Sequence, residues 1–177
     1  MSAEKRLFKE YNQLLKKPVS NLQIISLQPV NQDNLYKWEA VIAKPSTGDS
    51  QYYFHGKWCL DIDIPLNYPS APPTIKFVTP ILHPNIKYET GEICLDILKK
   101  SSWSPAWNLQ HLIVAILLLL DNPEPDSPLN IDAATLFRYD KQAFTSLAQY
   151  TIWKHGSFYD QDKSSSGVIP VVSPATS

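Results

Sequence analysis

Glycine is scarce in this chain, and the scarcity excludes whole classes of chemistry. Five are present in 177 residues, Gly48, Gly56, Gly91, Gly156 and Gly167, and they stand far apart. A dinucleotide-binding G-x-G-x-x-G turn or a phosphate-cradling G-x-x-x-x-G-K-[ST] loop needs clustered glycines, so that backbone N–H groups can close on a phosphate. Neither NAD nor ATP is expected to bind, and no cofactor is expected. His55, His83, His111 and His155 lack partners at zinc-ligand spacing, and sulfur comes only from Cys59, Cys94 and a single Met, so no metal centre is expected either. An excess of either charge is missing: Lys and Arg number 16 against 17 Asp and Glu, a formal net charge of -1. Nucleic-acid binders carry a basic surplus, so no nucleic-acid partner is expected. The longest apolar run, Leu112 to Leu120, is nine residues, where a membrane span needs about 18. No basic-then-apolar leader opens the sequence, and it ends Ala-Thr-Ser rather than Ser-Lys-Leu. A reducing, cytosolic setting with two free thiols is therefore the expectation.

What is abundant is proline, 15 residues, and it punctuates the chain. The length suits one compact domain with a core of its own. Leu7, Phe8, Tyr11, Leu14 and Leu15 recur at the spacing of one helical face, with Lys5, Arg6, Lys9, Glu10 and Lys16 elsewhere on the cylinder and Pro18 as the stop. From Asn21 to Val78 the period becomes two. Leu22, Ile24, Tyr36, Trp38, Ala40 and Ile42 are the inward positions expected of two strands, Trp58, Leu60, Ile62 and Ile64 those of a third, and Thr74 to Val78 a fourth. The loop Pro45 to Ser50 separates two of these runs. Six prolines between Pro65 and Pro84 forbid regular helix and disfavour a central strand there, which leaves a packed irregular crossover. Asn108 is placed to cap an apolar helix, Leu109 to Leu120. Two further helices are expected, Ile131 to Arg138 and one capped by Asp140 with Phe144, Leu147, Ala148 and Ile152 inward. The class is α+β, with residues 1–155 as the body and residues 156–177, rich in Ser, Gly and Pro without periodicity, as a flexible tail.

Chemistry would sit at Cys94, in the irregular stretch after the sheet. Taken alone, a cysteine reads better as a buried inert residue, free Cys being among the most buried residue types. A thiol of pKa near 8.5 is nevertheless a strong nucleophile that can carry an acyl group without a dedicated base. Cys59, beside Trp58 and Leu60 on a strand, is expected to be structural. A Cys-His hydrolase would need His83 brought to the sulfur, which the intervening Pro84 turn does not favour.

The ordered set His83-Pro-Asn85, Gly91-Glu-Ile-Cys94-Leu-Asp96-Ile-Leu98, Trp103-Ser-Pro105-Ala and Asp126-Ser127-Pro-Leu129, with Tyr68-Pro-Ser70-Ala-Pro-Pro73 upstream, resembles the ubiquitin-conjugating enzyme family over about Glu4 to His155. The resemblance implies that family's fold: an N-terminal helix, a four-stranded antiparallel meander, then C-terminal helices. It implies that Cys94 accepts activated ubiquitin as a thioester from a ubiquitin-activating enzyme, which spends the ATP, and passes it on. Asn85 matches the family's asparagine, credited either with stabilising an oxyanion or with ordering the active-site loop. His83, Asp96, Asp126 and Ser127 would belong to that loop, His83 in a structural role with its ring bonded to nearby backbone. Trp103 and Pro105 match a ligase-contact loop, or pack as core. Ser127 stands where many members carry an acidic residue that handles an incoming lysine, and a hydroxyl is a poor base. Asp126 or Glu124 would have to substitute, or the acceptor would be a cysteine. Ser70 replaces an aromatic gripped by thioester-forming ligases, so a RING-type ubiquitin ligase is expected.

Downstream of Cys94, Trp103 to Gln110, Pro123 to Asn130 and Leu136 to Asp140 resemble the peroxisomal members of the family. That implies a peroxisomal import receptor as substrate, a membrane-anchored peroxin as tether, and a place at the cytosolic face of the peroxisomal membrane without a direct span. The alternatives are a general cytosolic conjugating enzyme for ubiquitin or a ubiquitin-like modifier, and a catalytically silent ubiquitin-binding scaffold.

Overall fold

A computed structural model describes residues 2–45, 50–157 and 159. Helix α1, Ala3–Lys16, starts at Ser2, whose side chain accepts from the Lys5 N–H, and carries Glu4 in its first turn and Lys16 in its last, as the helix dipole favours. Four strands follow, β1 Ile24–Asn31, β2 Asn34–Lys44, β3 Gly56–Asp63 and β4 Thr74–Phe77, in one antiparallel sheet of order β1-β2-β3-β4. Helix α2, Leu109–Asp121, buries seven residues in the core the sheet lines, and α3, Ile131–Tyr139, leads into α4, Lys141–Lys154. Asn108, Asn130 and Asp140 cap these three helices through their side-chain oxygens.

Inward parity holds on β2 and β3, while on β1 a register shift between Ile24 and Ser26 changes the phase, so that Ile24 and Leu27 are both buried. Trp38, Ala40 and Ile42 on β2, and Trp58, Leu60 and Ile62 on β3, are all buried. Each large aliphatic or aromatic group so removed from water contributes about 1.5–3 kcal/mol. The same parity turns Cys59 outward: its thiol is exposed, on the outer face with Lys57 and Asp63, which corrects the expectation of a structural cysteine.

Other expectations fail by phase. Phe8 and Leu15 are exposed, because α1 meets the body along Ala3, Leu7, Glu10, Tyr11 and Leu14. Glu10, expected off the apolar face, is buried. Leu22 precedes β1 and lies open to solvent; on α4, Thr151 is buried while Leu147 is partly exposed. The body also runs on past His155: the Lys57 N–H donates to the Ser157 carbonyl at 2.7 Å, and the Tyr159 N–H to the His55 carbonyl at 2.7 Å. The rest of the tail, and residues 46–49 of the Pro45 to Ser50 loop, lie outside the described residues.

Candidate active site

From β4 the chain crosses to a compact turn at His83 to Ile86, closed by the Ile86 N–H on the His83 carbonyl at 3.2 Å. It then doubles back through Gly91, which takes φ 72 and passes so close to β4 that a Cβ there would lie 1.9 Å from the Phe77 carbonyl oxygen. Only glycine fits such an approach. The returning segment, bridged at Glu92 and Ile93, places Cys94 against the turn, its N–H donating to the Asn85 carbonyl at 2.8 Å. The sequence puts eight residues between those two groups; the Gly91 reversal brings them into contact.

The opposite wall is the segment leaving α2, residues 122–130. Asn85, fully buried, holds it with all of its amide: Nδ2 donates to the carbonyls of Glu124 at 2.8 Å and Ser127 at 3.2 Å, while Oδ1 accepts from the Glu124 N–H at 2.8 Å. The Pro84 carbonyl accepts from the N–H groups of Leu129 and Asn130 at 2.9 and 3.0 Å. This sets the Ser127 hydroxyl 3.9 Å from the Cys94 sulfur. The half-buried Cys94 faces an open groove of about 430 Å³ whose walls include Pro73, Ile75, Ile93, Leu98, Lys99 and Leu129. That lining is largely apolar, flanked by Lys76 and Glu92, a shape suited to an extended peptide end laid toward the sulfur.

His83 lies beneath this arrangement. Its Nδ1 accepts from the Asn85 N–H at 2.9 Å, so the proton sits on Nε2, 3.0 Å from the Leu119 carbonyl. Complete burial lowers its pKa to about 4, against the opposing pull of that carbonyl. A group depressed in this way stays neutral in the folded state while the unfolded chain takes up a proton below about 6.5. The associated stability, about 3 kcal/mol by this shift, is whole above about pH 6.5 and drains away as pH falls toward 4. Urea titrations stepped from pH 7 to 4.5 should show that loss, and a flatter profile, by about one proton, in His83→Gln.

Two acidic candidates are engaged elsewhere. Asp96 begins a short 3-10 turn and pairs with Lys99 at 2.6 Å; Asp126, almost wholly exposed, pairs with Arg138. The Asp96 hydrogen bond, then the nearby Cys94, hold the Lys99 ammonium above its usual range, and Lys99 lines the same groove as Cys94. Ser70 and Pro105 are exposed, on two loops joined where the Trp103 indole N–H donates to the Pro69 carbonyl at 2.7 Å. Trp103 itself is half-buried against Tyr68 and Trp107, so it packs, while Ser70 and Pro105 present surface. The role of the Arg6–Glu10 pair beneath these loops is not legible in the sequence, since its partners lie up to 101 residues away.

Among the described residues no group of His, Cys, Asp or Glu could hold a metal ion, and no helix is long and apolar enough to cross a membrane.

Comparison with known proteins agrees with this geometry. The family described as "Ubiquitin-conjugating enzyme" matches residues 6–152. "Ubiquitin-conjugating enzyme E2-21 kDa" of Pichia angusta is 42% identical over 190 residues, 91% of this chain and 98% of that one. "Ubiquitin-conjugating enzyme E2 pex4" of Dictyostelium discoideum is 49% identical over 145 residues, 81% of this chain and 93% of that one. Among solved structures, the H. polymorpha ubiquitin conjugating enzyme Pex4p, in complex with the soluble domain of Pex22p, superposes with a TM-score of 0.79 at 42% identity, covering 88% of this chain and 98% of its own. A helix, a four-strand meander and three helices, matched by sequence from α1 into α4, have one common explanation: the chain belongs to the ubiquitin-conjugating enzyme family and is a ubiquitin-conjugating enzyme.

Proposed function

We propose that Cys94 takes the carboxyl end of ubiquitin from a ubiquitin-activating enzyme and transfers it, with a RING-type ligase, to a peroxisomal import receptor whose acceptor is a cysteine. The thiolate attacks the incoming thioester carbonyl, a new carbon–sulfur bond forms, and the activating enzyme's cysteine leaves as thiolate; the second transfer repeats that exchange with the acceptor. The observation that carries the reading is the Cys94 sulfur opening onto a peptide-sized groove, with a hydroxyl 3.9 Å away.

That hydroxyl bears on the acceptor. A lysine amine, of pKa about 10.4, must lose a proton before it attacks, whereas a thiol near 8.5 supplies a few per cent of nucleophile unaided. With Ser127 beside the sulfur, and Asp126 and Asp96 paired to Arg138 and Lys99, the wall offers a proton little help in leaving. The names of relatives, "Protein PEROXIN-4" of Arabidopsis thaliana among them, support a role in peroxisome biogenesis. The Pex4p–Pex22p complex supports a membrane-anchored peroxin as the tether and a peripheral place on the cytosolic face of the peroxisomal membrane. Receptor recycling in matrix protein import is the process this serves.

The test loads the enzyme with ubiquitin and offers a receptor segment carrying one cysteine and no lysine, or one lysine and no cysteine. The cysteine segment should acquire ubiquitin in a bond that dithiothreitol cleaves, and the lysine segment should lag. Ser127→Asp should raise the lysine rate severalfold without changing loading. Modification of the lysine segment alone would overturn the cysteine reading.

A further inference from the structure

Glu10 is a carboxylate with its side chain only 6% exposed, and three groups from three parts of the chain converge on it. Its Oε1 accepts from Arg6 Nε at 2.6 Å and from the Tyr68 hydroxyl at 2.8 Å; its Oε2 accepts from the Leu109 N–H at 2.9 Å. The last is an orphan donor of the first turn of α2, where a negative charge is also favoured by the helix dipole. Arg6 in turn donates to the carbonyls of Pro105 at 3.0 Å and Trp107 at 2.7 Å. Burial and the Glu10 charge keep the Tyr68 phenol well above its ordinary pKa, so it remains a donor. One ion pair on α1 thus fastens the loop that carries Ser70, the loop that carries Pro105, and the start of α2.

A buried charge costs more in solvation than its pairing returns unless every lone pair is used, and a hydrophobic residue at this helical phase would serve packing as well. What the charge adds is geometry: it fixes two surface loops, neither in regular structure, relative to one helix. We infer that Glu10, through Arg6, Tyr68 and Leu109, is a positioning residue that sets the shape of the ligase-contact surface, so that it governs the response to a RING-type ligase and not the capacity to carry or release ubiquitin unaided. The inference rests on the transfer reading above and on Ser70 and Pro105 as the ligase contacts. Glu10 is itself too buried to touch a ligase, so any effect of changing it on ligase response travels through the loops.

The experiment compares wild type, Glu10→Gln, Tyr68→Phe and, as a surface control, Lys9→Ala. Four readings are taken: thioester formation with activating enzyme, discharge to the cysteine-bearing receptor segment alone, discharge to that segment with the isolated RING domain of a peroxisomal ubiquitin ligase, and the thermal midpoint. Glu10→Gln should load normally, discharge unaided within about twofold of wild type, and lose about tenfold of the ligase-driven acceleration, through weaker RING binding. Tyr68→Phe, which keeps the core ring and the charge, should lose a smaller share in the same direction, and Lys9→Ala should sit closer to wild type than either. Equal acceleration in Glu10→Gln and wild type, or a fall in unaided discharge as large as the fall with ligase, would overturn the inference. Should Glu10→Gln fail to fold, Tyr68→Phe decides by the same ratio. A wild type that never loads removes the transfer reading and this inference with it; a wild type that loads and answers the ligase beside variants that answer equally removes the inference alone.

Discussion

Cys94→Ser should convert an adduct that dithiothreitol removes into one that dithiothreitol leaves intact. Wild-type chain mixed with activating enzyme, ATP and ubiquitin is expected to shift by one ubiquitin on a non-reducing gel and to shift back on adding thiol, since a thioester exchanges readily with an incoming thiolate. Replacing sulfur by oxygen at the same place keeps the groove and the backbone anchor to the Asn85 carbonyl, yet makes the acyl bond an ordinary ester whose alkoxide leaves poorly. Loading should slow, because a serine hydroxyl without an adjacent base is a weak nucleophile, and what forms should persist. Cys94→Ala should abolish the adduct to background. Cys59→Ala should leave it unchanged: the Cys59 thiol is also free, and more exposed, but it stands on the outer face of β3, outside the groove. An adduct that survives Cys94→Ala would move the site.

The contrast between the two cysteines shows what a sequence can and cannot convey. The alternation Trp58, Leu60, Ile62 already implies that Cys59 faces away from the core, whereas the apolar type of its neighbours alone suggests a packed thiol. Helix starts were legible because the signal is local: Asn108 and Asp140 cap their helices through the N–H three residues on. Phe8 and Leu15 were misplaced because an amphipathic stripe fixes a face only to within one residue, and the tertiary partner chooses the phase. Glu10 was illegible for a stronger reason. Its partners Tyr68 and Leu109 lie 58 and 99 residues away, and a glutamate among lysines on a helix has the composition of a solvated face. The groove was legible only as an ordered set of short motifs; that His83 is buried and neutral, and that Asn85 spends its whole amide on the far wall, follows from the packing of α2 against the turn.

Asn85→Ala is expected to weaken the fold and the transfer together, and the pairing of those effects separates the two roles an active-site asparagine can take. An oxyanion donor needs an N–H free to meet the developing charge. Here both hydrogens of Nδ2 are committed, to the Glu124 and Ser127 carbonyls, and Oδ1 holds the Glu124 N–H. Removing the side chain leaves a part-buried N–H and two carbonyls without their partner, at about 1–3 kcal/mol for each group that stays buried and unpaired. Water admitted by the loosened wall repays part of that. The chain should therefore lose stability in urea titrations, exchange the amides of residues 122–130 faster, and discharge its ubiquitin more slowly as Ser127 leaves its place beside the sulfur, while loading at Cys94 is affected less. Asn85→Asp should be worse, since it keeps the acceptor for the Glu124 N–H but turns a negative charge on the two carbonyls that Nδ2 now serves. Had the side chain acted through an oxyanion alone, its loss would cost about 2.7–4 kcal/mol in the transition state and leave stability and loop exchange where they were. Unchanged exchange at residues 122–130 beside a large loss of discharge would return Asn85 to that role.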